Sequence, residues 1–132
     1  MIGTPGLEPK TTIEDVRVVV VEDNADARDA LKRLLELDGY NVRTASDAED
    51  ATSVIDQHHP LCVILDLGLP GMGGAELAAR LRTLHGTGTV IVVLTGSTRP
   101  EELAAAESAG VDHVLHKPLD IALLRRLLPR IN

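Results

Sequence analysis

The chain has 132 residues, 44% of them apolar, which is enough for one domain with a real core. It contains no Trp or Phe and a single Tyr, and its net charge is −7. A base-stacking or phosphate-gripping nucleic-acid binder is therefore not expected, because such surfaces need aromatics and a basic face. Cys62 is the lone cysteine, so an internal disulfide is excluded. No apolar run reaches membrane-spanning length and no signal-peptide pattern opens the chain, so a cytoplasmic protein with no membrane or nucleic-acid partner is expected.

Residues 1–14, with Gly3, Pro5, Gly6 and Pro9, carry no period and read as a flexible tail or linker. Residues 15–132 read as one domain. Val18–Val21 is a continuous aliphatic run, as expected of a strand covered on both faces. Ala27, Ala30, Leu31, Leu34 and Leu35 then repeat at helical spacing, with Gly39 placed to end the helix. Tyr40–Ala45 mixes polar and apolar residues and reads as an edge strand. A helix follows through Ala48, Ala51, Val54 and Ile55. Leu61–Leu65 is the next buried strand, and Leu77, Ala78, Leu81 and Leu84 mark the helix after it. Val90–Leu94 is a third aliphatic strand, the Ala-rich stretch 100–109 a helix, Val111–His116 a second edge strand, and Ile121, Leu124, Leu127 and Leu128 a last helix.

This fivefold strand–helix alternation predicts an α/β fold, a flavodoxin-like doubly wound (βα)5 sandwich. Its parallel five-stranded sheet has order 2-1-3-4-5, with a Rossmann-like half as the alternative.

Polar residues sit where these strands end. Glu22 and Asp23 follow the first, Asp66 the third, Thr95 the fourth and Lys117 the fifth. In an open parallel sheet the carboxyl ends of the strands face one crevice. Three carboxylates, a hydroxyl and an ammonium should therefore converge. At a separation of about 4 Å and an effective dielectric near 20, each close carboxylate pair costs on the order of 4 kcal/mol. A hard divalent cation such as Mg²⁺ removes that cost. A metal with open positions beside a lysine suits phosphoryl transfer, and carboxylates do accept phosphoryl groups. Asp66, on the middle strand, is the natural acceptor. Singly, each residue has a plainer reading: Asp26 or Asp47 as a helix cap, Thr95 before Gly96 as turn chemistry, Lys117 as a solvated charge. Their recurrence at successive strand ends is what favours chemistry.

VVVVEDNADARDALKRLL resembles the opening strand, acidic pair and first helix of response-regulator receiver domains of two-component phosphorelays. VILDLGLPGMGGAELAARLR resembles their phosphoacceptor segment, and VIVVLTG with GVDHVLHKP their Thr and Lys-Pro segments. The resemblance runs from about Val16 to Leu128. It implies that Asp66 is the phosphoacceptor and that Asp23, Asp66 and the Gly68 carbonyl bind Mg²⁺, with Glu22 acting through water. It further implies that Thr95 and Lys117 bind the phosphoryl group and that the peptide before Pro118 is cis. The implied partner is a histidine kinase or histidine phosphotransfer domain. DLGLPGMGG and GVDHVLHKPLD look more like receivers at the C-terminus of hybrid histidine kinases than like those of transcription factors. The protein then phosphorylates and dephosphorylates itself as a switch, without turning over an external substrate. With no effector domain after the last helix, it is expected to be free-standing or part of a larger parent protein.

Three positions depart from the family pattern. Gly73 replaces Asp or Asn, Val114 replaces the switch aromatic, and Leu119 replaces Phe after Lys-Pro. The five histidines lack zinc-site spacing, Cys62 reads as packing, and Gly71, Gly73 and Gly74 as loop flexibility. Arg125, Arg126 and Arg130 read as a solvated face. One rival is a haloacid-dehalogenase-like phosphatase, which needs a second Asp where this chain has Gly68. The other is a pseudo-receiver that is never phosphorylated, whose usual mark is loss of an acidic or Lys residue.

Overall fold

A computed structural model describes residues 15–130; the expected tail over residues 1–14 lies outside them. Five strands alternate with five helices: β1 Arg17–Val21, α1 Ala25–Leu37, β2 Asn41–Ala45, α2 Ala48–His58, β3 Cys62–Asp66, α3 Gly74–His85, β4 Val90–Thr95, α4 Pro100–Ser108, β5 His113–His116 and α5 Ile121–Leu127. The strands form one parallel sheet of order β2-β1-β3-β4-β5.

Strand periodicity builds two cores from the same residues. Val19 and Val21 of β1, Val63 and Leu65 of β3, and Ile91 and Val93 of β4 face one way, under α2, α3 and α4. Val18 and Val20, Cys62 and Ile64, and Val92 and Leu94 face the other way, under α1 and α5. β3 is buried at every residue, as the middle strand of such a sandwich must be. Among the described residues, no helix is long and apolar enough to cross a membrane.

Local chemistry sets the element ends. Asn24 caps α1 by accepting from the Ala27 amide, so Asp26 sits in the first turn instead of capping. Asp47 caps α2 by accepting from the Asp50 amide at 2.7 Å. Gly39, at φ 101°, takes the left-handed conformation that ends α1. Pro100 opens α4, where its missing N–H costs nothing. The edge strands are shorter than their hydropathy suggests. The Tyr40 amide is drawn back to the Leu35 carbonyl in the α1 terminus. Before β5, the Asp112 carboxylate turns inward to accept from Ile91 N and Arg82, both at 2.7 Å.

Cys62 has no exposed surface, and burial pushes its thiol up to about 12. A thiol that is neither ionised nor reachable does not attack disulfides. The native protein at pH 8 should leave Ellman's reagent unreacted, and one thiol should react at once in denaturant. Prompt labelling without denaturant would show that β3 is not closed over.

Candidate functional site

The sheet carries its polar residues to one edge. Glu22 and Asp23 follow β1 directly; Asp66 and Thr95 are the last residues of β3 and β4; Lys117 is the first after β5. Carboxylate oxygens of Glu22, Asp23 and Asp66 lie within 4.8 Å of one another. Two of these groups are buried, Glu22 at 6% and Asp66 at 9% exposure, so water screens their repulsion poorly.

The protein answers part of that charge itself. Lys117 Nζ stands 3.3 Å from Asp66 Oδ2 and 3.5 Å from Glu22 Oε1. Burial alone would lower the lysine's pKa, but Asp66 and then Glu22 more than offset it, so the ammonium is held above its ordinary value. Burial raises the Glu22 carboxyl above the usual carboxylate range; the Asn24 amide opposes that shift and the Asp66 charge adds to it. The Gly68 amide donates to Asp66 Oδ1 at 3.0 Å, so both Asp66 oxygens have a donor. One ammonium, meeting two of the three carboxylates, leaves net negative charge among hard oxygen donors, a set that fits a small divalent cation.

Thr95, 2% exposed, accepts from the Ser97 amide through Oγ1 at 2.9 Å. Its carbonyl accepts from Lys117 N at 2.8 Å, which ties the ends of β4 and β5 together. The Lys117–Pro118 peptide is cis. Val114 is partly buried in the core beneath α4, and Leu119 packs on the opposite core. Beside Leu119 a cavity of about 370 Å³ runs between α1 and α5, lined by Ala27, Ala30, Leu34 and Ile121 and reaching Glu22 and Lys117.

Two contributors are not visible in the sequence pattern. Gly74 is more than loop flexibility: a Cβ there would stand 2.5 Å from the Asp66 carbonyl oxygen. Gly71 and Gly73, at φ 72° and 82°, do supply left-handed turns. The second contributor is Arg28, whose NH1 donates to the Glu22 carbonyl at 2.9 Å. An arginine on an amphipathic helix carries no mark separating it from a solvated one. Arg125 is also engaged, with Asp38 at 2.8 Å, away from the site.

A parallel sheet of this order, with acidic groups and a lysine gathered at its carboxyl edge, defines the flavodoxin-like class of phosphoacceptor signalling domains. Within that class a family model described as the response regulator receiver domain matches residues 18–128, and the chain belongs to this family. It is 36% identical over 122 residues to the response regulator MprA of Mycolicibacterium vanbaalenii, covering 86% of this chain and 52% of that protein. It is 37% identical over 127 residues to the sensor histidine kinase AruS of Pseudomonas aeruginosa, covering 94% of this chain and 13% of that one. The chain thus spans about half the length of the MprA regulators it matches. A solved response regulator from Burkholderia pseudomallei, with a phosphorylated aspartic acid, calcium ion and citrate, is similar at a TM-score of 0.79 and 30% identity. That match covers 87% of this chain and 67% of the other.

Proposed function

We propose that the protein is a cytoplasmic switch that takes a phosphoryl group from a phosphohistidine onto Asp66 and later hydrolyses it. The donor is a histidine kinase or histidine phosphotransfer domain, separate or within one parent chain. The observation that carries this reading is the convergence of Lys117, Glu22 and Asp23 on Asp66. Similarity to a regulator with a phosphorylated aspartic acid and a bound divalent cation supports it.

Asp23, Asp66 and the Gly68 carbonyl would hold Mg²⁺, with Glu22 acting through water. When bound, the ion neutralises charge on the transferring group. The rest falls to the side chains. An Asp66 oxygen attacks phosphorus, an O–P bond forms, and the P–N bond to the donor imidazole breaks with its electron pair leaving on nitrogen. Lys117 turns from the carboxylate toward the new phosphoryl oxygens. The Thr95 Oγ1 already accepts from Ser97 N, so its hydroxyl proton remains to be donated to a phosphoryl oxygen. In hydrolysis, water attacks phosphorus and the O–P bond breaks, returning carboxylate and inorganic phosphate. Gly68 and Ser97, two residues after Asp66 and two after Thr95, are small, which favours hydrolysis at an ordinary to fast rate for the family.

The test is to incubate the protein with acetyl phosphate and MgCl₂ and weigh it intact. One phosphoryl group should be gained, and none in EDTA. Absence of both an adduct and Mg²⁺-dependent release of inorganic phosphate from acetyl phosphate, or an equal adduct in EDTA, would overturn the reading.

The output should travel through a short route. Receivers with an aromatic on the fifth strand fill the space that the moving Thr vacates; Val114, short and stiff at χ1, cannot swing between two pockets. Hydrogen exchange with and without beryllofluoride should change most over residues 95–100 and less over 111–128. An equal or larger change over 111–128 would contradict this.

A further inference from the structure

We infer that Arg28 is a positioning residue for the metal-binding loop, acting through the Glu22 carbonyl; the inference rests on the reading of the acidic cluster given above. A peptide group is planar, so the Glu22 carbonyl, the Asp23 amide and the Asp23 Cα move as one body. Arg28 NH1 donates to that carbonyl from α1 at 2.9 Å in a partly buried setting. The neighbouring bonds hold other parts of the loop. Glu22 N donates to Ala45 O at 3.1 Å, and Asn24 N to Glu22 Oε2 at 3.1 Å. The first holds the peptide before Glu22 and the second the peptide that leaves Asp23, so among the described residues the peptide that enters Asp23 is held by Arg28.

Asp23 needs that external hold. Lys117 directs its ammonium to Asp66 and Glu22, and among the described residues no lysine or arginine forms an ion pair with Asp23. Asp23 is exposed, and its carboxylate faces two others. Repulsion therefore pushes the loop outward whenever no cation is bound, and α1 resists this through Arg28. The guanidinium suits the task because it stays charged and has a flat, pre-organised fork of donors. It binds a carbonyl here, so it adds a hold without neutralising a ligand carboxylate.

Charge and geometry make opposite demands, which gives the test its sign. As a bare positive neighbour, Arg28 would oppose a second cation, and its removal would tighten Mg²⁺ binding. As a positioning group, its removal weakens binding, because groups that orient ligands change metal affinity by about tenfold or more.

The experiment follows Mg²⁺ binding to the whole chain by amide chemical shifts and Mn²⁺ binding by electron paramagnetic resonance, for wild type, Arg28→Ala, Arg28→Lys and, as a control on the same helix, Arg33→Ala. Arg28→Ala should bind both ions about tenfold more weakly, Arg28→Lys should recover much of the loss, and Arg33→Ala should match wild type. At saturating Mg²⁺ the acetyl phosphate labelling rate of Arg28→Ala should return close to that of wild type, a separation that general misfolding would not give. If Arg28→Ala melts before it can be titrated, Arg28→Met keeps the stem and carries the same comparison. Unchanged or tighter ion binding on loss of the guanidinium would overturn the inference alone. Failure of the wild type to bind either ion would instead overturn the reading of the acidic cluster beneath it.

Discussion

Asp66→Asn should gain no phosphoryl group from acetyl phosphate and Mg²⁺ under conditions that label the wild type. Asn lacks the anionic oxygen that attacks phosphorus, and the change leaves shape and volume nearly intact. Loss of labelling should come without loss of folding. Asp66 shares its surroundings with Glu22 and Asp23, and removing one of three clustered negative charges relieves repulsion that Lys117 offsets only in part. The melting temperature of Asp66→Asn in EDTA should therefore equal or exceed that of the wild type. Intact mass and a circular dichroism melt decide both halves. A stable adduct at the wild-type level would remove Asp66 from its assigned role. A lower melting temperature would mean that the Lys117 pair outweighs the carboxylate repulsion.

Gly74→Ala should be among the most destabilising small changes available. Replacing glycine by alanine within a helix ordinarily stabilises it by roughly 1 kcal/mol. Here the new methyl would meet the Asp66 carbonyl oxygen at 2.5 Å, the Leu67 Cα at 2.7 Å and the Leu65 Cδ1 at 2.9 Å. Two of those atoms are backbone and cannot rotate away, so α3 must lift off the end of β3. The cost should be about 3 kcal/mol, the upper end for an overpacked core. In a domain of this size that lowers the melting temperature by about 10 °C. Because the displaced strand end carries Asp66, acetyl phosphate labelling should slow as well. A stability equal to or above wild type in urea titration would show that the helix yields without penalty.

The sheet and the convergent side chains are legible in the sequence because each rests on a pattern confined to one segment. Val18–Val21 and Val90–Leu94 declare central strands by unbroken aliphatic runs, and the residue just after or ending each run is polar. That arrangement suffices to bring Glu22, Asp66, Thr95 and Lys117 to one edge. Features made by two distant segments are not legible. The role of Gly74 depends on how closely α3 lies against the end of β3, and that of Arg28 on which way one helix face turns above a loop. β2 and β5 start later than their hydropathy suggests for a related reason. Tyr40 has strand character, yet its amide is already committed to the end of α1. Asp112 is committed through its carboxylate to Arg82 and Ile91. Helix capping is ambiguous in a smaller way: Asn24 and Asp26 are both good caps, and only the start of the helix tells which one serves.

The order β2-β1-β3-β4-β5 also governs when the site comes into being. Glu22 and Lys117 meet across 95 residues of chain, from 22 to 117, and Asp66 and Lys117 across 51. Both contacts wait on loop closures whose entropy is lost before any contact is gained. During synthesis Asp66 emerges long before Lys117, and a partly made chain holds its carboxylates with no ammonium among them. The complete cluster therefore exists only once β5 has docked on β4, the last strand-pairing event available to the chain. Assembly of the cluster is in this sense a late product of folding, and a copy in which β5 has not docked lacks it.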